Sequence, residues 1–337
     1  MTERALVFTD EREVTIEETE TADPAADEVT VDAHLSAISS GTELLVYRGQ
    51  APSGIAADSS LETLNGDLSF PLQYGYALVG TVVDAGNEVD DAWVGREVIA
   101  FHPHQTRFNS TTDCLIPLPP DVERRAGALF PSAETATNFL LDGAPKLGER
   151  VVVFGAGVIG LCTIRLLAEF PLDSLVVVEP RASRRDLARE FGADTVVPPE
   201  DADVPFESVD GDHAGADLVY ELSGRPDTLN DAIDLVGYDG RIVVGSWYGS
   251  KRSELRLGGS FHRDRIDVIS SQVSTIDPSL RGRWSKDRRT QTALDGLRTI
   301  DHEALITDQI PFERAGDAYE RLDEAPEGTV QILLSYE

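Results

Sequence analysis

The first 120 residues alternate short apolar and polar positions, and the middle of the chain replaces that alternation with unbroken apolar runs. Residues 13–17 and 29–34 repeat with period two, the pattern of half-buried strands, and 75–83 and 98–101 read as further strands between Asp, Gly and Pro turns. Residues 53–69 are polar and contain glycine, so they read as a surface loop. The texture changes at Pro117-Leu118-Pro119-Pro120. Beyond it, helices are predicted over 126–141, 158–170, 184–191 and 226–236, interleaved with strands over 151–154, 175–178, 217–220, 241–244 and 266–271. Strands that are apolar throughout are buried on both faces, which points to a parallel sheet between two helical layers. Residues 280–337 return to mixed texture, with helices over 287–298 and 312–323 and a strand over 330–334. The pattern therefore predicts an α/β protein of two domains. A β-rich domain takes 1–120, a doubly wound parallel-sheet domain takes 121–276, and 277–337 is the mixed stretch beyond it.

The sharpest local signal is Val151-Val152-Val153-Phe154-Gly155-Ala156-Gly157-Val158-Ile159-Gly160, a strand entering a helix through G-x-G-x-x-G. Gly155 permits the tight turn, Gly157 lets backbone approach a pyrophosphate, and Gly160 lets the helix pack on its strand. Val158 and Ile159 open the helix whose unpaired N–H groups and dipole favour phosphate. The next strand ends at Glu179, where a carboxylate can accept hydrogen bonds from a ribose diol and would repel a 2′-phosphate. NAD is the expected cofactor. Arg181, two residues further on, keeps NADP as an alternative.

Charge narrows the partners. The chain has 29 basic and 60 acidic residues, a formal charge of −31, which repels nucleic acid and anionic membrane surfaces. Lys146, Lys251 and Lys286 are its only lysines. An acid excess with so little lysine reads as a halophilic protein. At low salt the screening length grows to about 30 Å and the charge repels itself across the molecule. The thermal midpoint is accordingly expected to rise from millimolar to molar salt, and a flat midpoint would contradict the halophilic reading. Met1-Thr2-Glu3-Arg4 lacks the basic and apolar runs of an export signal, and the longest apolar run, 151–164, is too short to span a bilayer. A cytoplasmic protein is expected. Two cysteines, Cys114 and Cys162, can make neither a disulfide framework nor a four-cysteine zinc lobe.

From end to end the chain resembles the medium-chain dehydrogenase/reductases. Ser40-Gly41-Thr42-Glu43 is similar to the C-G-T-D motif of zinc alcohol dehydrogenases, Gly75-Tyr76-Ala77-x-x-Gly80 to G-H-E-x-x-G, Leu129-Phe130-Pro131 to L-E-P, and Glu221-Leu222-Ser223-Gly224 to E-A-T-G. Six further segments resemble a subgroup typified by bacteriochlorophyllide a dehydrogenase. They are Tyr74-Gly75-Tyr76, 101–105, Glu134-Thr135-Ala136-x-Asn138, 246–249, 261–263 and 270–273. The resemblance implies a GroES-like β-rich catalytic domain formed by 1–120 together with 277–337, a Rossmann nucleotide domain, and a homodimer or homotetramer. It also implies that Ser40, Tyr76 and Phe130 stand where the family holds its catalytic zinc. Phenylalanine has no ligand atom, so the expectation is a zinc-independent enzyme.

The resemblance then places the remaining chemistry. Tyr76 is a candidate proton donor and acceptor, or else fills space. Thr42 matches the family's relay hydroxyl, or is a turn residue. His102 suits proton exchange near neutrality and Glu134 could orient a cleft group; each could instead be structural. Ser223, Trp247 and Tyr248 follow strands at the edge where such sheets bind ligands. The expected activity is hydride transfer between NAD(H) and a secondary alcohol or ketone of unknown identity. A quinone or enoyl reductase and a non-catalytic nucleotide-binding redox sensor are the alternatives.

Overall fold

A computed structural model describes residues 2–57, 64, 66–203, 206 and 214–336. Part of the loop expected over 53–69 lies outside these residues. The first strands are β1 (Glu3–Asp10), β2 (Glu13–Thr19) and β3 (Glu28–Ala37), followed by the short helix α1 (Glu43–Tyr47). Next come β4 (Leu78–Ala85), β5 (Glu97–Ala100), β6 (Arg107–Thr111) and β7 (Leu115–Pro117). Helices α2 (Arg124–Gly127) and α3 (Phe130–Gly143) occupy the stretch expected as one helix over 126–141. Pro131 explains the division: it has no N–H to carry an i→i−4 ladder, and it fits in the first turn of a new helix.

From here strands and helices alternate as the apolar runs predict. β8 (Arg150–Phe154), α4 (Val158–Leu167), β9 (Ser174–Val178), α5 (Ala182–Glu190) and β10 (Thr195–Val197) form the first half. β11 (Ala216–Glu221), α6 (Thr228–Leu235), β12 (Val236–Val244), β13 (Asp267–Ser270) and α7 (Lys286–Leu297) form the second. The chain ends with α8 (His302–Leu305), β14 (Ile306–Pro311), α9 (Ala315–Glu324) and β15 (Gln331–Ser335). β12 begins five residues before the strand expected over 241–244 because its entry is bulged. Ala216 pairs with Val236 but Leu218 with Arg241, and Asp239 in between takes a left-handed φ of 58°.

Contacts divide the chain into two units. One is Met1–Pro131 with His302–Glu337, the other Ser132–Asp301. Residues 277–301, assigned through the resemblance to the β-rich domain, lie in the second unit, where α7 packs Gly296 close to Leu166 of α4. In the first unit a seven-stranded sheet runs β14-β15-β3-β4-β5-β7, with β6 also on β3 and β1–β2 as a separate hairpin. β15 pairs antiparallel with β3, so a strand from the far end of the sequence joins the sheet that β3 begins. The wholly buried Phe8, Ile38, Phe312, Tyr319, Ile332 and Leu334 centre one of its cores. The second unit carries six parallel strands in the order β10-β9-β8-β11-β12-β13, the doubly wound order in which ligands bind beyond the carboxyl ends of the strands. No helix among the described residues is long and apolar enough to cross a membrane.

Candidate functional site

The second unit holds the nucleotide-binding features. Gly155 leaves β8 at φ 96°, and a Cβ there would sit 2.8 Å from the Leu222 carbonyl oxygen. Gly160 faces the same turn from α4; its Cβ would lie 2.1 Å from the Gly155 oxygen, so only glycine lets helix and strand approach this closely. In front of Gly157 there is room: the nearest atom to a Cβ built there is Arg184 Nη1, at 3.8 Å. Val158 is buried and Ile159 half-buried at the start of α4. This is an open cradle of backbone at a helix N-terminus, the arrangement that receives phosphate.

Glu179 directly follows β9 and is buried. Its Oε2 accepts from the Ala156 N–H at 2.8 Å and its Oε1 from the Arg181 N–H at 2.9 Å. The carboxylate therefore braces the glycine turn from below. Arg181 precedes α5, and Arg184, which the sequence reading did not single out, brings its guanidinium beside Gly157. Ser223 donates through its backbone N–H to Glu221 Oε1 at 2.9 Å, and its hydroxyl donates to the same oxygen. The other oxygen of this fully buried carboxylate accepts from Tyr248 Oη at 2.6 Å. Burial, then the Glu221 charge, pushes the Tyr248 phenol well up, so it stays a neutral donor. Trp247 is half-buried on the loop after β12.

The first unit holds the second cluster. Tyr76 is half-buried ahead of β4, with its ring edge-on to Tyr74 at 6.4 Å between centroids. Its hydroxyl donates to Ser39 Oγ and lies 3.2 Å from Thr42 Oγ1. Thr42 thus joins Tyr76, and Ser39 is a partner that the motif comparison did not single out. Behind them sits a network centred on the wholly buried Glu43 and His104. Glu43 Oε1 accepts from the Ser39 N–H at 2.7 Å, and Glu43 Oε2 accepts from Tyr319 Oη and from His104 Nε2, the latter at 3.0 Å. His104 Nδ1 lies 2.7 Å from Ser36 Oγ, which is 2.8 Å from Tyr336 Oη. Burial first, then Glu43, raises the Tyr319 phenol well above its ordinary range.

Two candidate residues sit in settings that argue against proton transfer. His102 stacks on Phe108 at 3.9 Å, and its Nδ1 lies 3.1 Å from the Pro103 oxygen. Burial lowers its pKa to about 4, so it is neutral through the range in which a proton exchanger must titrate. Glu134, in α3, is buried against Arg289, with Oε1 3.1 Å from Nη2 and 3.3 Å from Nε. A carboxylate so paired holds a guanidinium in place.

Ser40, Tyr76 and Phe130, which the resemblance matches to the family's zinc ligands, do not make a ligand set for a metal. Phe130 is wholly buried, with Phe101 edge-on at 6.1 Å. Tyr76 is turned toward Ser39 and Thr42, and Ser40 adds one half-buried hydroxyl. Among the described residues, the group of three His, Cys, Asp or Glu side chains close enough to share an ion is Glu123, His302 and Glu303. Both carboxylate oxygens of that Glu303 already accept from Arg125.

Comparison with known proteins agrees with this architecture. The zinc-binding dehydrogenase family profile matches residues 158–287. D-guloside 3-dehydrogenase of Escherichia coli K12 is 26% identical over 99% of this chain and 100% of its own. The crystal structure of 2R,3R-butanediol dehydrogenase from Bacillus subtilis superposes with a TM-score of 0.82 at 21% identity, covering 100% of both chains. An E. coli alcohol dehydrogenase solved with NADH gives 0.79 at 19% identity, again over 100% of both. Its glycine turn, doubly wound sheet and β-rich unit are those of the zinc-binding dehydrogenases to which it is similar, and the chain is an alcohol-dehydrogenase-like, nicotinamide-linked enzyme.

Proposed function

We propose that the protein is a zinc-independent, NAD-linked oxidoreductase acting on a secondary alcohol and its ketone, with Tyr76 as the group that polarises and protonates the substrate oxygen. One observation carries this reading. At the family's ligand positions stand a buried phenyl ring and a phenol, and that phenol is in hydrogen-bond reach of two hydroxyls, Ser39 and Thr42. The names of the relatives, a guloside dehydrogenase and a butanediol dehydrogenase among them, support a secondary alcohol as substrate class.

When bound, the nicotinamide exchanges a hydride with the carbinol carbon. The chain's own residues do the rest. In the reducing direction the Tyr76 O–H donates to the carbonyl oxygen and gives up its proton as negative charge develops there. Ser39 and Thr42 then supply a route by which the phenol regains a proton. The glycine turn and the start of α4 hold the pyrophosphate, and Glu179 accepts from the adenosine ribose diol while bracing the Ala156 N–H. Phe130 offers no ligand atom, which leaves the oxygen to be stabilised by donors instead of by a metal.

The cofactor assignment is tested at Glu179. Glu179→Ser is expected to weaken NADH binding by roughly 10–100-fold, the size of one or two lost hydrogen bonds to a charged group, and to move the preference toward NADPH. Fluorescence titration with both nucleotides measures it. Tighter NADPH binding by the unaltered protein would overturn the role given to Glu179. Elemental analysis tests the metal assignment: an essential, stoichiometric zinc would overturn it.

A further inference from the structure

Both ends of Tyr76 rest on one buried pair. Its phenol donates to Ser39 Oγ, and the Ser39 N–H donates to Glu43 Oε1 at 2.7 Å, while the Glu43 N–H donates back to the Ser39 oxygen at 2.8 Å. The carboxylate thereby clamps the 39–43 turn that receives the phenol. At the other end, Tyr76 follows Gly75, which takes a φ of 115°. A Cβ on Gly75 would sit 2.5 Å from His104 Cδ2 and Nε2, so the backbone leading into Tyr76 lies directly on the imidazole. That imidazole is bonded to Glu43 at 3.0 Å.

Glu43 and His104 are both wholly buried. A buried carboxyl–imidazole pair is often no more stabilising than apolar residues of the same volume, so fold stability alone gives no reason for one here. Its remaining partners come from the end of the chain: Tyr319 in α9 donates to Glu43, and Tyr336 after β15 reaches His104 through Ser36.

We propose that Glu43 and His104 are positioning residues for Tyr76, the carboxylate fixing the turn that receives the phenol and the imidazole fixing the backbone that delivers it. The proposal rests on Tyr76 acting as described above, and the C-terminal return of the chain completes the device through Tyr319 and Tyr336.

The test has two arms. In the first, tyrosines carry ¹³C at the ring ε carbons, and the Tyr76→Phe spectrum assigns the Tyr76 signal. Glu43→Gln is expected to shift or broaden that signal while Tyr220 and Tyr248 of the other unit stay in place. Tyr319→Phe, which removes one donor and leaves both buried groups, is expected to do the same to a smaller extent; it decides the matter should Glu43→Gln fail to fold. A Tyr76 signal that neither variant moves overturns the proposal. In the second arm, oxidation of 2,3-butanediol with NAD is the probe reaction. Glu43→Gln should lower kcat roughly 10–100-fold, as displaced catalytic groups do, with KM for NAD unchanged. In a Tyr76→Phe background it should cost nothing further, and losses that multiply overturn the proposal. Full turnover by Tyr76→Phe alone would remove the acid–base role from Tyr76, while the first arm still decides whether the pair positions it.

Discussion

Tyr76→Phe is expected to bind NADH as the unaltered protein does and to transfer hydride roughly 10²–10⁴ times more slowly, the usual size of an acid–base or oxyanion-type contribution. The two effects separate because the proposed nucleotide contacts lie in the turn from β8 into α4, at the start of α4 and at Glu179 after β9, and Tyr76 belongs to none of these segments. The ring itself is retained in the phenylalanine variant, so its edge-on packing against Tyr74 survives and only the hydroxyl is lost. Thr42→Val should cost less, because Ser39 still touches the phenol and water can bypass one relay hydroxyl. The Tyr76 and Thr42 losses should not multiply if both serve one proton path. Single-turnover formation of NADH is the measurement. Normal turnover by Tyr76→Phe would overturn the zinc-independent mechanism itself, since His102 is held neutral by burial and Glu134 is spent on Arg289.

What could be read ahead of the structure was local. The glycine turn is legible because its glycines are close in sequence, and one of its constraints is local: a Cβ on Gly160 would strike the Gly155 oxygen, five positions away. The place of Glu179 is legible for the same reason, as the residue that follows a strand already marked by its apolar run. The doubly wound order followed from β–α alternation with apolar strands. The Pro131 break divided a helix that periodicity alone ran together, and the Asp239 bulge hid the first half of β12.

The cluster around Tyr76 was legible only as a list of residue types. Tyr76 and Thr42 do meet, but what they meet on could not be read. Glu43 looks like a helix-start carboxylate, and its partners His104 and Tyr319 are 61 and 276 residues away. Side chains that distant are brought together by the β3–β15 pairing and the packing of α9, neither of which leaves a local signal. The two histidines on either side of Pro103 show the same limit. Two residues apart and alike in sequence, one ring stacks on Phe108 and the other is bonded to Glu43.

Glu134→Leu gives the other large effect, and it should appear in stability. The substitution leaves the Arg289 guanidinium buried without its carboxylate, with Asn138 Oδ1 at 2.9 Å among its remaining acceptors. Removing one member of a buried pair costs about 3–5 kcal/mol, because the charge left behind has lost both water and partner. Replacing both members by apolar groups removes the charge as well as its partner. Glu134→Leu combined with Arg289→Met should therefore recover most of that loss, although neither substitution restores a polar contact. Denaturant titration of the three variants measures the expected ordering, with the double variant more stable than Glu134→Leu alone. The same double variant separates structure from chemistry. A carboxylate that only neutralises Arg289 can be dispensed with once the arginine is gone, so turnover should return along with stability. A stable double variant with no hydride transfer would put Glu134 back among the catalytic groups.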